Sequence, residues 1–160
     1  EEHCPIDEWP LAVHRRYSQR EILAAVGYVR PGAKGKAVQG GILKLPSQRE
    51  ILLVTLDKSS SSFSPTTRYR DYAVSPSLFH WETQSAASVS RETGHRYIES
   101  PANGWSFFLF VREDQGSTYA FLGQARVRSY EGDRPIAITW ELERPMPAAL
   151  FERFATLAQG

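Results

Sequence analysis

Six short segments rich in aromatic and β-branched residues dominate the middle of this 160-residue chain. They read GILKL, EILLVTL, LFHWETQ, WSFFLFVRE, TYAFLGQARVRSY and IAITWELE, and clusters of Gly, Pro, Ser, Asn and Asp separate them. Segments of this length and composition are typical of β-strands, and the clusters between them are typical of turns. WSFFLFV is apolar on both faces, which indicates a central strand of the sheet.

A helix is predicted on each side of the strand-rich region. Ser18 followed three residues later by Glu21 is the pattern of a capping box, and Gly27 supplies a C-terminal stop. Pro147 precedes apolar residues at helical spacing, namely Leu150, Phe151, Phe154 and Leu157. We therefore predict an α+β fold, with a curved, mostly antiparallel sheet or small β-barrel between an N-terminal and a C-terminal helix.

Composition excludes several classes of protein. The net charge is only +1 and apolar residues make up 41% of the chain, so it is neither disordered nor basic as a whole. The single cysteine excludes an intrachain disulfide, and no apolar run approaches the length of a membrane span. We predict a cytoplasmic protein with no membrane partner. The charged, proline-containing start without a methionine predicts a piece of a longer protein, with a linker at residues 1–16 and a single domain at 17–160.

Sequence signatures of catalysis are absent. The chain lacks the spacing of a zinc site, a GxSxG elbow, a Walker A loop, an HExxH helix and a dinucleotide fingerprint. We predict a non-catalytic domain without metal or cofactor. One enzymatic alternative stays open, a small nuclease built around Asp57, which follows the segment EILLVTL.

Signatures of nucleic-acid binding are stronger. The segment between Glu21 and Glu50 is rich in glycine and contains no acidic residue, so all of its charged side chains are basic. Lys and Arg side chains hold the phosphates of a nucleic acid, and glycine-rich backbone assists them. The residues predicted to contact the DNA backbone are Arg30, Lys34, Lys36, Lys44, Arg68, Arg70 and Arg96.

A second group of residues is suited to reading a base or a modification, because aromatic rings stack on bases and amides bond to base edges. The residues predicted to form this pocket are Tyr69, Tyr72, His80, Trp81, Gln84 and Tyr97. Strict alternation in LFHWETQ places Phe79, Trp81 and Thr83 on one face of a strand and His80 and Gln84 on the other. Phe79 is expected in the core, and whether Trp81 belongs to the core or to the pocket stays open.

Several motifs together resemble a known family. REILAAVGY, LLVTLDK, SPTTRYRDY, FHWETQ, GHRY and YAFLGQARVRSYEGDRPIAITWELERPMP, within Tyr17 to Pro147, resemble the domain of unknown function at the C-terminus of bacterial superfamily II DEAD/DEAH-box helicases. Many such helicases also carry a phospholipase-D-like nuclease domain and resemble restriction or phage-defence effectors.

That resemblance implies a fold and a role. By analogy with related systems, it implies a DNA-reading module with an SRA-like, PUA-like or sulfur-binding fold. The expected partners are double-stranded DNA, carrying a modified cytosine or a phosphorothioate linkage, and the helicase and nuclease domains of the parent chain. The alternative is a protein-interaction or regulatory domain that docks on its own helicase or nuclease, which the near-zero net charge favours.

Overall fold

The computed structural model describes residues 9–27, 41–45, 47–56, 71–83, 96–100, 102, 104–132 and 136–157. The predicted site residues that lie outside these ranges are Arg30, Lys34, Lys36, Arg68, Tyr69, Arg70 and Gln84, and Asp57 of the nuclease alternative lies outside them too.

In the described part of the chain, eight strands form one sheet between two helices. In chain order they are β1 (Arg16–Tyr17), α1 (Gln19–Ala25), β2 (Ile42–Leu45), β3 (Arg49–Thr55), β4 (Tyr72–Ser75), β5 (Leu78–Glu82), β6 (Ser106–Arg112), β7 (Tyr119–Glu131), β8 (Ala137–Leu142) and α2 (Ala148–Leu157). Residues 96–98 form a further helical turn. The six predicted strands and both predicted helices are confirmed, while β1 and β4 were not predicted. Neither helix is long and apolar enough to span a membrane.

The strand order across the sheet is β2-β3-β6-β7-β8-β5-β4, and β1 pairs with one end of β7. Among the described pairings only β3 with β6 is parallel, and the others are antiparallel. The sheet is open and curled, which confirms the α+β prediction of a curved, mostly antiparallel sheet. Strand β6 lies between β3 and β7, as predicted for a central strand.

Strand β7 is the longest of the described strands, and its bulges help the sheet to curl. Its 13 residues pair with β6 as far as Ala125 and with β8 from Ala125 onward, so β7 joins the two halves of the sheet. The register shifts where Gly123 adopts a φ of +87°, and again between Val127 and Ser129. A bulge bends a strand and increases its twist, and glycine adopts a positive φ at little cost.

Two hydrophobic clusters cover the two faces of the sheet. The inner face carries Phe107 and Leu109 of β6 and packs against Phe154 of α2. The outer face carries Phe108 and Phe110 of the same strand, and it packs against residues 9–13 and α1. The capping box of α1 is present as predicted: Glu21 N donates to Ser18 Oγ at 3.1 Å and Ser18 N donates to Glu21 Oε1 at 2.8 Å.

Glu113 ties three separate parts of the chain together just after β6. Arg16 of β1 donates to both of its carboxylate oxygens, at 2.8 and 2.5 Å, and Arg153 of α2 donates to Oε2 at 2.5 Å. The Glu113 side chain is 5% exposed. Burial raises the pKa of this carboxyl, but the hydrogen bonds from Arg16 and Arg153 outweigh burial and lower the pKa to about 2.

This lowered pKa predicts a loss of stability in acid. The folded-state pKa of Glu113 lies below its ordinary value of 4.5, so its contribution is present above about pH 4.5 and is lost as the pH falls toward 2. The arginine partners are partly exposed, which weakens the effect, and we expect a contribution of about 2 kcal/mol. Urea unfolding at several pH values measures it. Glu113→Gln should flatten the curve in this window, and an unchanged curve would contradict the prediction.

Candidate nucleic-acid interface

The hairpin of β4 and β5 holds three of the predicted pocket residues, Tyr72, His80 and Trp81. The alternation predicted for β5 is confirmed: Phe79 and Trp81 face the inner cluster, while His80 lies on the outer face. Trp81 is 7% exposed. The side of the sheet on which Trp81 lies, which the sequence left open, is therefore the buried inner face.

Tyr72 and His80 form a stacked pair on the outer face. They are directly opposite each other in the register of β4 and β5, and their ring centroids are 4.8 Å apart with an interplanar angle of 26°. The same register continues to Thr139 of β8 and Ser129 of β7. Both rings are half-buried. This row places two half-buried aromatic rings next to hydroxyl groups, and such groups can stack on and hydrogen-bond to a planar ligand.

Trp81 and Tyr97 belong to an aromatic cluster on the inner face. The ring of Tyr97 lies 5.5 Å from Trp81, 6.0 Å from Trp140 and 5.2 Å from Phe107. Trp81 and Tyr97 are both buried. The structure therefore brings the described pocket residues together as two pairs on opposite faces of β5, with Tyr72 and His80 outside and Trp81 and Tyr97 inside.

Arg96, predicted to contact the DNA backbone, lies in the core. Its side chain is 3% exposed, and the guanidinium bonds Glu50 Oε1 through Nε at 2.8 Å and Nη2 at 2.7 Å. The hydroxyl of Tyr97 donates to the other oxygen, Oε2, of the same carboxylate. A guanidinium held in this way does not reach a DNA phosphate without leaving Glu50. The structure thus assigns Arg96 to an internal network and not to the surface predicted for it.

Glu50 itself is a residue that sequence reasoning missed. The pKa of Glu50 is raised above its ordinary value, because burial outweighs the hydrogen bond from Tyr97 and the charge of Arg96, which both act in the opposite direction. Burial also raises the pKa of Tyr97 well above its ordinary value, and the neighbouring Glu50 adds to this. The tyrosine therefore keeps its proton, and its hydroxyl donates a hydrogen bond to the Glu50 carboxylate. The available signal was an acid at the start of the otherwise apolar segment EILLVTL.

Two further buried polar side chains fix the open end of the β4–β5 hairpin. Asp71 Oδ1 accepts a hydrogen bond from Glu82 N at 3.0 Å. Thr83 Oγ1 accepts one from Ile136 N at 2.8 Å, and Thr83 N donates to Ile136 O at 3.0 Å. In the sequence, Arg70 immediately precedes Asp71 and Gln84 immediately follows Thr83. Both of these predicted site residues lie outside the described ranges.

Lys44 is exposed on β2, which stands at the opposite end of the strand order from β4. It is directly opposite Glu50 in the β2–β3 register. Among the described residues, no three acidic, histidine or cysteine side chains are grouped in a way that would hold a metal ion.

The fold is shared with SRA domains. The SRA domain of SUVH5 in complex with fully methylated CG DNA, methylated CHH DNA and hemi-methylated CG DNA aligns with TM-scores of 0.51, 0.52 and 0.53 and identities of 12%, 13% and 13%. The alignments cover 91% of this chain and 95%, 95% and 97% of those domains. At such identities the likeness establishes an SRA-like fold, which was among the folds that the resemblance implied.

The chain belongs to the family described as a domain of unknown function, DUF3427, whose model matches residues 11–154. This confirms the expected membership of a domain of unknown function. A comparison with curated protein sequences found no match.

Proposed function

We propose that this chain is a non-catalytic module that binds double-stranded DNA and recognises a modification on it, with methylated cytosine as the first candidate. The observation that carries the proposal is the SRA-like fold over 91% of the chain, because the solved domains of that fold were bound to methylated DNA. Phosphate contacts are assigned to exposed Lys44 and to basic positions outside the described residues, which are Arg30, Lys34, Lys36, Arg68 and Arg70.

Within this proposal, the stacked pair of Tyr72 and His80 is the reading surface. It is half-buried and lies on the outer face, whereas Trp81 and Tyr97 are buried behind it and support the strand. Taking a base out of the duplex costs a few kcal/mol, and stacking on an aromatic ring returns about 1–3 kcal/mol per base. Tyr69 and Gln84 are proposed to complete the site from the neighbouring parts of the sequence.

The proposed setting is a bacterial, cytoplasmic restriction or phage-defence protein. In it, residues 17–160 form the reading domain, residues 1–16 connect it to the parent chain, and helicase and nuclease domains act on the DNA that is recognised. The support is the resemblance of long, ordered motifs such as SPTTRYRDY and FHWETQ to the domain found in such helicases. Reading of a mark by this domain would direct where the parent protein acts.

A binding panel tests the proposal. Fluorescence anisotropy would compare one duplex in plain form and carrying methylcytosine, hydroxymethylcytosine, methyladenine or a phosphorothioate linkage, each at low and moderate salt. We expect the methylcytosine duplex to bind tightest and all affinities to fall with salt. If the phosphorothioate duplex binds tightest, the site recognises the DNA backbone and not a modified base. Undetectable binding of every duplex at low salt would reject the reader function.

Variants of the described residues separate reading from phosphate contact. Tyr72→Ala and His80→Ala should each reduce the preference for the modified duplex about tenfold, because a stacking surface is lost. Lys44→Ala should weaken all duplexes alike and reduce the salt slope by about one. Tyr130→Ala is the matched control, since Tyr130 is a tyrosine of the same sheet that is 49% exposed. An equal effect of Tyr130→Ala would remove the reading role from the stacked pair.

A second function, docking on another protein domain, is favoured by one observation. Two arginines on the described surface already share one carboxylate: Arg126 and Arg128 both contact Glu141, at 2.7 and 3.3 Å. Pairing of this kind lowers the positive field that attracts DNA. If the panel shows no DNA binding, co-purification with separately produced helicase and nuclease domains becomes the deciding experiment.

A further inference from the structure

The buried carboxylate of Glu50 joins the sheet to the helical turn at residues 96–98. Glu50 is fully buried on the inner face at the start of β3 and pairs in register with Phe107. Its two oxygens accept from two consecutive residues of the turn, Arg96 on Oε1 and Tyr97 on Oε2. Because the two partners are neighbours in the chain, one carboxylate fixes both the position and the rotation of the turn.

The helical turn at residues 96–98 contacts the inner face of β5. The Tyr97 ring meets Trp81 edge to face, with centroids 5.5 Å apart and an interplanar angle of 68°. The Arg96 guanidinium lies between two rings, 5.2 Å from the centroid of Tyr97 and 5.1 Å from that of Trp105. Trp81 is the next residue after His80, so a shift of Trp81 moves the strand that presents His80 to Tyr72.

The energetics of a buried ion pair favour a geometric role over a stabilising one. Removing two charges from water costs several kcal/mol per ion, and well-packed apolar residues often stabilise a core as well or better. What a buried, hydrogen-bonded network adds is a single arrangement of the groups around it. The inner face is otherwise aromatic and apolar around Glu50, so here the network specifies how the Tyr97 ring sits against Trp81.

We propose that Glu50 is a positioning residue for the reading surface, acting through Tyr97 and Trp81 on β5 and therefore on the stacked pair of Tyr72 and His80. The inference rests on the proposed function and deepens it by naming a residue of the opposite face that sets specificity.

The test compares Glu50→Gln with Glu113→Gln in the whole 160-residue chain. Both changes remove a buried carboxylate that bonds two side chains, and Glu113 lies outside the aromatic cluster. Both should destabilise the fold. Only Glu50→Gln should lower the ratio of the affinities for methylcytosine duplex and plain duplex. We expect a reduction of about three- to tenfold, which lies within the range of energetic coupling between packed residues. Only Glu50→Gln should also shift the emission of the tryptophans, without DNA.

Tyr97→Phe provides a second, milder variant. It keeps the ring contacts with Trp81 and Phe107 and removes only the hydroxyl that bonds Glu50. We expect the same direction of change in the affinity ratio, and no further loss when it is combined with Glu50→Gln, because both changes break one connection. If Glu50→Gln does not fold, Tyr97→Phe carries the comparison alone.

The outcomes separate the two hypotheses. If the unchanged chain binds no duplex, the proposed function fails, and the reading role of Glu50 fails with it, whatever the tryptophan emission shows. If the chain binds methylcytosine duplex and Glu50→Gln changes the affinity ratio no more than Glu113→Gln does, the positioning role is overturned while the reader function stands.

Discussion

Replacement of Trp81 with Ala is expected to lower the free energy of unfolding by about 3–5 kcal/mol, the range for truncating a large buried aromatic residue. The Trp81 ring lies within aromatic distance of Tyr97 and Trp140, at 5.5 and 6.2 Å, and belongs to the inner hydrophobic cluster. Truncation leaves a cavity that those rings cannot fill without moving. Equilibrium unfolding in urea, followed by circular dichroism, measures the loss.

His80→Ala is the matched control, because His80 is the adjacent residue of the same strand and points to the other face. Its loss should cost about 1 kcal/mol or less, since it removes one half-buried stacking contact with Tyr72. In DNA binding, His80→Ala should reduce the preference for modified duplex in a protein that remains folded. Comparable stability losses for the two variants would contradict the assignment of Trp81 to the core.

Trp81 and His80 show how much of the site can be predicted from the sequence. Alternation within LFHWETQ correctly separated Trp81 from His80, because successive side chains of a strand point to opposite faces. It did not show what covers each face. That depends on Tyr97 and Trp140, which come from a later turn and a later strand, and no local pattern links them to Trp81.

Arg96 illustrates the same limit for charge. Arg96 was predicted to contact the DNA backbone because arginine side chains hold phosphates, whereas its partner Glu50 lies 46 residues away in sequence. An arginine and a glutamate that far apart look like two ordinary surface charges until the fold brings them together. The strand order escapes local patterns as well, because β3 and β6 pair in parallel although β4 and β5 separate them in the chain.

Replacement of Gly41 with Ala is expected to cost about 3 kcal/mol or more, through a combination of backbone strain and steric overlap. Gly41 has a φ of +70°, and a Cβ added there would lie 2.3 Å from the carbonyl oxygen of Leu53. Leu53 N donates to Gly41 O at 2.7 Å, so the close approach belongs to the pairing of β2 with β3. Relief of the overlap would require the two strands to separate at this end.

Gly27→Ala separates the two causes. Gly27 follows α1 with a φ of +78°, and an added Cβ there would meet no atom within 4 Å. Gly27→Ala should therefore lower the free energy of unfolding only through the strain of a left-handed residue, by about 1–2 kcal/mol. Unfolding in urea compares the two variants directly.

Because Lys44 and Glu50 pair across β2 and β3, a loosened β2 should also weaken DNA binding in Gly41→Ala and not in Gly27→Ala. Equal losses of stability in the two variants would mean that the strands yield easily at Gly41 and that backbone conformation alone sets its cost.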